Sequence, residues 1–177
     1  MFASMMNLVN LYSMMIEENI DPSRDWQKVT AQIIKRISDY RNSYRDLKIQ
    51  KEIEELEEQA RIKKRDLTAE EKDAAVEKID RETTEIYYSL DVAMSIMQFY
   101  RAEILYAQAR PGQTDSDPAF RLDRSNKDVF NLYYGALRGF EAAIPVAESS
   151  ANHGLQCRLL VNSAVCYERI GEYEKAY

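Results

Sequence analysis

Glycine and proline are scarce in this sequence: five and four, nine of 177 residues, against an average usage of roughly 12%. Sandwiches, barrels and doubly wound sheets need many tight turns, and turns draw on these two residues. Their scarcity excludes those folds. Histidine occurs once (His153) and cysteine twice (Cys157 and Cys166), so a four-ligand zinc site of the common spacings cannot be assembled. No Glu-x-x-His pair, P-loop or Gly-x-Gly-x-x-Gly occurs, which removes the usual signatures of di-iron and nucleotide chemistry. The composition argues against an enzyme and implies neither cofactor nor metal.

Charge is absent from the first sixteen residues, Met1 to Ile16. That stretch lacks the basic start and cleavage site of a signal peptide and is too short to span a membrane. The two cysteines lie nine residues apart on one predicted helix, about 13 Å at 1.5 Å per residue, which is beyond disulfide reach. Free thiols suit a cytoplasmic protein. The expectation is therefore a cytoplasmic chain with no membrane partner.

What is present is helical periodicity. Met5, Met6, Val9, Tyr12 and Ile16 recur at three- and four-residue steps up to Asn19-Ile20. Asp21-Pro22 reads as a cap and first helical residue. Val29, Ile33, Ile37, Tyr40, Tyr44, Leu47, Ile53, Leu56 and Ala60 then hold one stripe over some forty residues. Thr68-Ala-Glu-Glu71 is a capping box opening the partner helix through Ala75, Ile79, Ile86 and Leu90. Between Lys48 and Glu82, 21 of 35 residues are charged with the signs interleaved. This predicts a projecting, solvated helical hairpin over 48–82, since no heptad register survives three repeats. The basic run Arg61, Lys63, Lys64, Arg65 follows Glu52 to Glu58 in a chain of net charge −6. It reads as a solvated helix end, with no nucleic acid as partner.

A third long helix is expected through Val92, Ile96, Phe99, Tyr100, Ile104, Leu105 and Ala109, then a loop over 111–124 and a cap at Ser125-Asn-Lys-Asp128. The next helix carries Phe130, Tyr133, Ala136, Leu137, Phe140, Ala143, Ile144 and Ala147, with Pro145 expected to kink or shorten it. After the turn-like Asn152-His153-Gly154, a last helix spans Leu155 to Ile170 and stops at Gly171. Glu172 to Tyr177 opens an element with no room for its body, so the functional unit is expected to exceed 177 residues.

Asn162-Ser-Ala-Val-Cys-Tyr-Glu-Arg-Ile-Gly-Glu-Tyr-Glu-Lys-Ala176 resembles a tetratricopeptide repeat, although no second copy follows at a 34-residue period. The same stretch is also similar to the 14-3-3 proteins. Two further segments agree in order: Tyr40-Arg41-Asn42-Ser43-Tyr44-Arg45 resembles that family's Arg-Arg-Ser-Ser-Trp-Arg, and Phe99-Tyr100-Arg101 its aromatic–aromatic–arginine segment. The resemblance implies a single domain over 1–177, an all-α antiparallel array of long helices with a charged hairpin. It covers the family's second to seventh helices and lacks counterparts of the first and the last two.

The resemblance further implies a non-catalytic adaptor that captures phosphoserine or phosphothreonine segments and masks or scaffolds phosphorylated client proteins. Arg41 and Arg101 would grip the phosphate, because guanidinium forks match phosphate oxygens bidentately. Asn162 would bond the peptide main chain. Ile34 stands where the family has its lysine, with Lys35 one step round the helix, and Ala102 where it has its tyrosine, with Tyr106 a turn further on. The family's glutamate falls at Glu168 or Arg169. Lys35, Tyr106, Asn162 and Glu168 complete the candidate peptide site. Taken without the resemblance, Arg41 and Arg101 read as solvated helix residues, Asn162 as an interhelix hydrogen bond and most tyrosines as core. Met5, Met6 and Met14 predict a dimer through the first helix, with the same or a related chain. A tetratricopeptide-type scaffold binding unphosphorylated segments is the alternative function.

Overall fold

The computed structural model of the protein describes residues 2–21, 23–108 and 127–176. Six helices account for 88% of these, and no strand occurs among them. The helices are α1 (Phe2–Glu17), α2 (Trp26–Ile62), α3 (Ala69–Gln108), α4 (Lys127–Ser149), α5 (His153–Ile170) and α6 (Tyr173–Ala176). The expected loop over 111–124, Ala109 and the cap residues Ser125 and Asn126 lie outside the described residues.

Few glycines raise the question of how the helices stop. Asn19, Lys64 and Ala151 take the left-handed conformation, as does Gly171. In each case the residue that follows donates its N–H to the carbonyl five residues back, as Ile20 does to Met15 and Arg65 to Ala60. Asn152 does the same to Ala147 and Glu172 to Tyr167. These are Schellman ends, three of them built without glycine.

Several boundaries differ from the sequence expectation. α2 does not begin at Asp21-Pro22; Pro22 lies outside the described residues and the helix starts at Trp26. Asp21 has a φ of 57°, and its carbonyl accepts from the Arg24 N–H and from Trp26 Nε1. The cap is instead Asp25, whose carboxylate accepts from the Lys28 N–H at 3.0 Å. The partner of α2 and the third long helix are one continuous helix of 40 residues. Pro145 does not shorten α4, which runs on to Ser149; the proline lies on its exposed side. His153 and Gly154 form the first turn of α5 instead of a loop, capped by Asn152 Oδ1 on the Leu155 N–H at 3.2 Å.

The chain divides into two compact units, Met1–Lys35 with Asp91–Tyr177, and Arg36–Leu90. In the second, α2 and α3 run antiparallel, tied by Arg45–Asp80, Glu52–Lys78 and Glu57–Lys72. Paired residue numbers sum to between 125 and 130, so one register holds along the hairpin. Ile37, Ala60, Ala75, Ile79 and Leu90 are its buried seam. Its tip is the expected capping box: the Thr68 hydroxyl accepts from the Glu71 N–H, and the Glu71 carboxylate from the Thr68 N–H.

In the first unit α3 and α4 are antiparallel, with Phe99 edge-on to Phe140 and Tyr106 to Tyr133. α5 returns antiparallel along α4, where the Tyr134 hydroxyl donates to Glu172 and that of Tyr167 to Glu141. The core holds Val9, Met97, Tyr133, Phe140 and Leu159, all fully buried. No described helix is long and apolar enough to cross a membrane.

Candidate functional site

The candidate residues fall in both units. Arg41 is an exposed residue of the hairpin unit, its guanidinium 5.3 Å over the ring of Tyr87. Lys35 is exposed on α2 and Glu168 on α5. Tyr106 is buried, packed on Tyr133 and roofed by the Arg169 guanidinium at 4.4 Å. It is core packing in the first unit.

Arg101 and Asn162 share a different property. Among the described residues, the buried side-chain nitrogens without a hydrogen-bond partner are Arg101 Nε and Asn162 Nδ2. A buried donor left unmatched costs about 1–3 kcal/mol, and such atoms are rare in native proteins. Asn162 is 8% exposed on α5. It lies on the helix face that also presents Arg158 and Arg169 to α3.

Arg101 opens elsewhere. With 100° per residue, it stands about 200° round α3 from Glu103, the residue that Arg169 grips. It lines a groove of about 710 Å³ with Gln27 of α2, Leu105 of α3 and the first two turns of α4, from Lys127 to Leu132. Among the described residues that line it, the groove carries Arg101 and Lys127 with one acid, Asp128.

Three other arginines of this unit are engaged. Arg24 lies 5.1 Å over both Tyr12 and Trp26. Arg158 donates to the Tyr100 hydroxyl at 3.0 Å and to Glu17 at 3.3 Å, and the same hydroxyl donates to Glu17. Burial, with the Glu17 bond, pushes Tyr100 up to about 12. Arg169 makes a forked pair with Glu103, which also accepts from the Tyr133 hydroxyl. Burial pushes the Tyr133 phenol up, and Glu103 adds to it. It also pushes the Cys166 thiol up to about 12, so that this thiol is not nucleophilic at neutral pH. Among the described residues no group of three acids, histidines or cysteines converges as a metal site.

Sequence reasoning missed Glu17, Glu103 and Arg158 as the acids and base that link α1, α3 and α5. A signal for Glu103 was present: it interrupts the apolar stripe of Phe99 and Tyr106 at helical spacing. No family model, curated protein or solved structure matches the chain.

Proposed function

We propose that the protein is a non-catalytic adaptor that binds phosphoserine- or phosphothreonine-bearing protein segments, with Arg101 as the residue that grips the phosphate. The observation that carries this reading is the unmatched, buried Nε of Arg101 on an open groove, while Arg24, Arg158 and Arg169 of the same unit are all engaged. A phosphate supplies about −1.5 to −2 charges and three strong acceptors, the complement of such a guanidinium. Lys127 adds a second cation at the rim. The resemblance to the 14-3-3 proteins assigns the same role to Arg101 from its aromatic–aromatic–arginine segment, and gives Arg41 and Asn162 supporting roles.

The adaptor acts in the cytoplasm, consistent with free Cys157 and Cys166, and as a dimer through α1, on which Leu11 and Met14 are exposed apolar residues. Fluorescence polarisation with a phosphoserine peptide and its unphosphorylated twin tests the reading. The phosphopeptide is expected to bind at least tenfold tighter, and Arg101→Ala to remove that preference while Arg138→Ala, an exposed change on α4, retains it. Equal binding of the two peptides by the unaltered protein sinks the proposal and favours a tetratricopeptide-type scaffold.

A further inference from the structure

Two helices cannot bury a full apolar stripe between them, and the hairpin unit shows where the remainder lies. Along α2, residues spaced from Arg45 to Glu57 line a groove of about 600 Å³, floored by the half-buried Ile49 and Ile53 with Val76 of α3. Twelve residues of helix are about 18 Å, slightly more than three turns. A trough of that length with apolar residues at four-residue steps fits another helix, not a compact small molecule.

Its charge indicates the occupant. Of the charged residues on its walls, Arg45 is committed to Asp80, with Nε 2.7 Å from Oδ1, and Glu57 pairs with Lys72 across the hairpin at 3.3 Å. The outer wall is left to Asp46, 78% exposed and sharing the same Arg45 at 3.9 Å, and Glu54, which accepts from Gln50. Asp46, Glu54, Glu57 and Asp80 outnumber Arg45 and Lys72, so the net charge along the rim is acidic. A second copy of the hairpin laid groove to groove would bring Asp46 and Glu54 against the same acids, which disfavours self-docking.

We propose that this groove docks a basic amphipathic helix of a partner protein, its apolar face on Ile49, Ile53 and Val76 and its lysines or arginines against Asp46 and Glu54. Binding there completes a three-helix packing that the hairpin leaves open.

The test uses the full chain and two fluorescein-labelled 18-residue peptides, one an amphipathic Leu/Lys helix and the other its Leu/Glu counterpart, read by anisotropy. The Leu/Lys peptide is expected to bind at least tenfold tighter than the Leu/Glu peptide. Asp46→Lys with Glu54→Lys should weaken it at least tenfold, whereas Glu77→Lys with Glu82→Lys, an equal charge change away from the groove, should shift it less than twofold. Ile53→Ser should lose at least fivefold; circular dichroism checks its folding, and the charge pair carries the test if it unfolds. Equal binding of the two peptides overturns the proposal. So does an equal loss in both charge-reversed variants, which would mean attraction to the acidic chain as a whole. A dimer by light scattering that Asp46→Lys with Glu54→Lys strengthens would make a second copy the occupant, and also overturns it.

Discussion

Arg169 and Glu103 pair in the first unit with Nε 3.2 Å from Oε1, their side chains only 16% and 29% exposed. Burial alone would lower the arginine's affinity for its proton, but the hydrogen bonds and charge of Glu103 outweigh it and hold Arg169 above its ordinary value. The pair joins α3 to α5, while the Tyr133 hydroxyl of α4 donates to the same carboxylate. Removing one partner strands the other charge. Glu103→Ala should cost about 2–3 kcal/mol, toward the low end for buried pairs because some solvent reaches the site. Combining Glu103→Gln with Arg169→Met should cost less than the two single changes added together. Urea melts of the four proteins in a double-mutant cycle measure this; simple additivity would mean that the pair is not coupled.

The two glycines of α4 should respond oppositely to alanine. A Cβ on Gly139 would lie 2.8 Å from Ser95 Cβ, so the α3–α4 contact there requires the missing side chain. Gly139→Ala is expected to destabilise by about 1–3 kcal/mol through overpacking, despite alanine's better helix propensity. At Gly135 the nearest atom is Gln98 Oε1 at 3.1 Å, the end of a flexible side chain. Gly135→Ala should therefore be neutral or stabilising by up to about 1 kcal/mol. Thermal melts of both variants settle it: a loss of stability at both positions refutes the packing argument for Gly139.

The fold class was legible because apolar residues recur at helical steps over long stretches and turn residues are few. The capping box at Thr68 and the stop at Gly171 were visible from local chemistry alone. The start of α2 was not, because Asp21 and Asp25 are both good caps; the choice of Asp25 goes with the Trp26 indole bonding the Asp21 carbonyl. The site was legible only in fragments. Arg101 and Asn162 stood out through short motifs, but periodicity cannot say that each buries a nitrogen with no partner. The Glu103–Arg169 pair joins residues 66 apart in sequence, a distance no local pattern spans.

Scarce glycine leaves a measurable cost at one helix end. Ala151 closes α4 at a φ of 53°, in a region where a Cβ crowds the backbone and glycine does not. It is an exposed position, so adding flexibility there disturbs no packing. Ala151→Gly is expected to stabilise by about 0.5–1 kcal/mol, the relief of strain exceeding the added entropy of the unfolded chain. The measurement is a denaturant midpoint at unchanged slope. A lower midpoint would show that the left-handed alanine is not strained.

Acid should loosen the tip of the hairpin through Glu71. Hydrogen bonds from Arg65, then the Thr68 N–H, hold its carboxyl down from 4.5 to about 2. A depressed folded value means that the folded chain binds this proton less tightly than the unfolded chain. The stabilisation from Glu71 is thus fully present above about pH 4.5 and is lost as the pH falls toward 2. Titrating the Glu71 side-chain carboxyl by NMR should give a midpoint near 2 in the native protein. Arg65→Met should move that midpoint upward, since the guanidinium bonds are the larger cause, whereas Thr68→Ala keeps the N–H that bonds the carboxylate and should move it little. A native midpoint at the ordinary 4.5 would mean that the Arg65 fork and the capping box do not hold the carboxylate in solution.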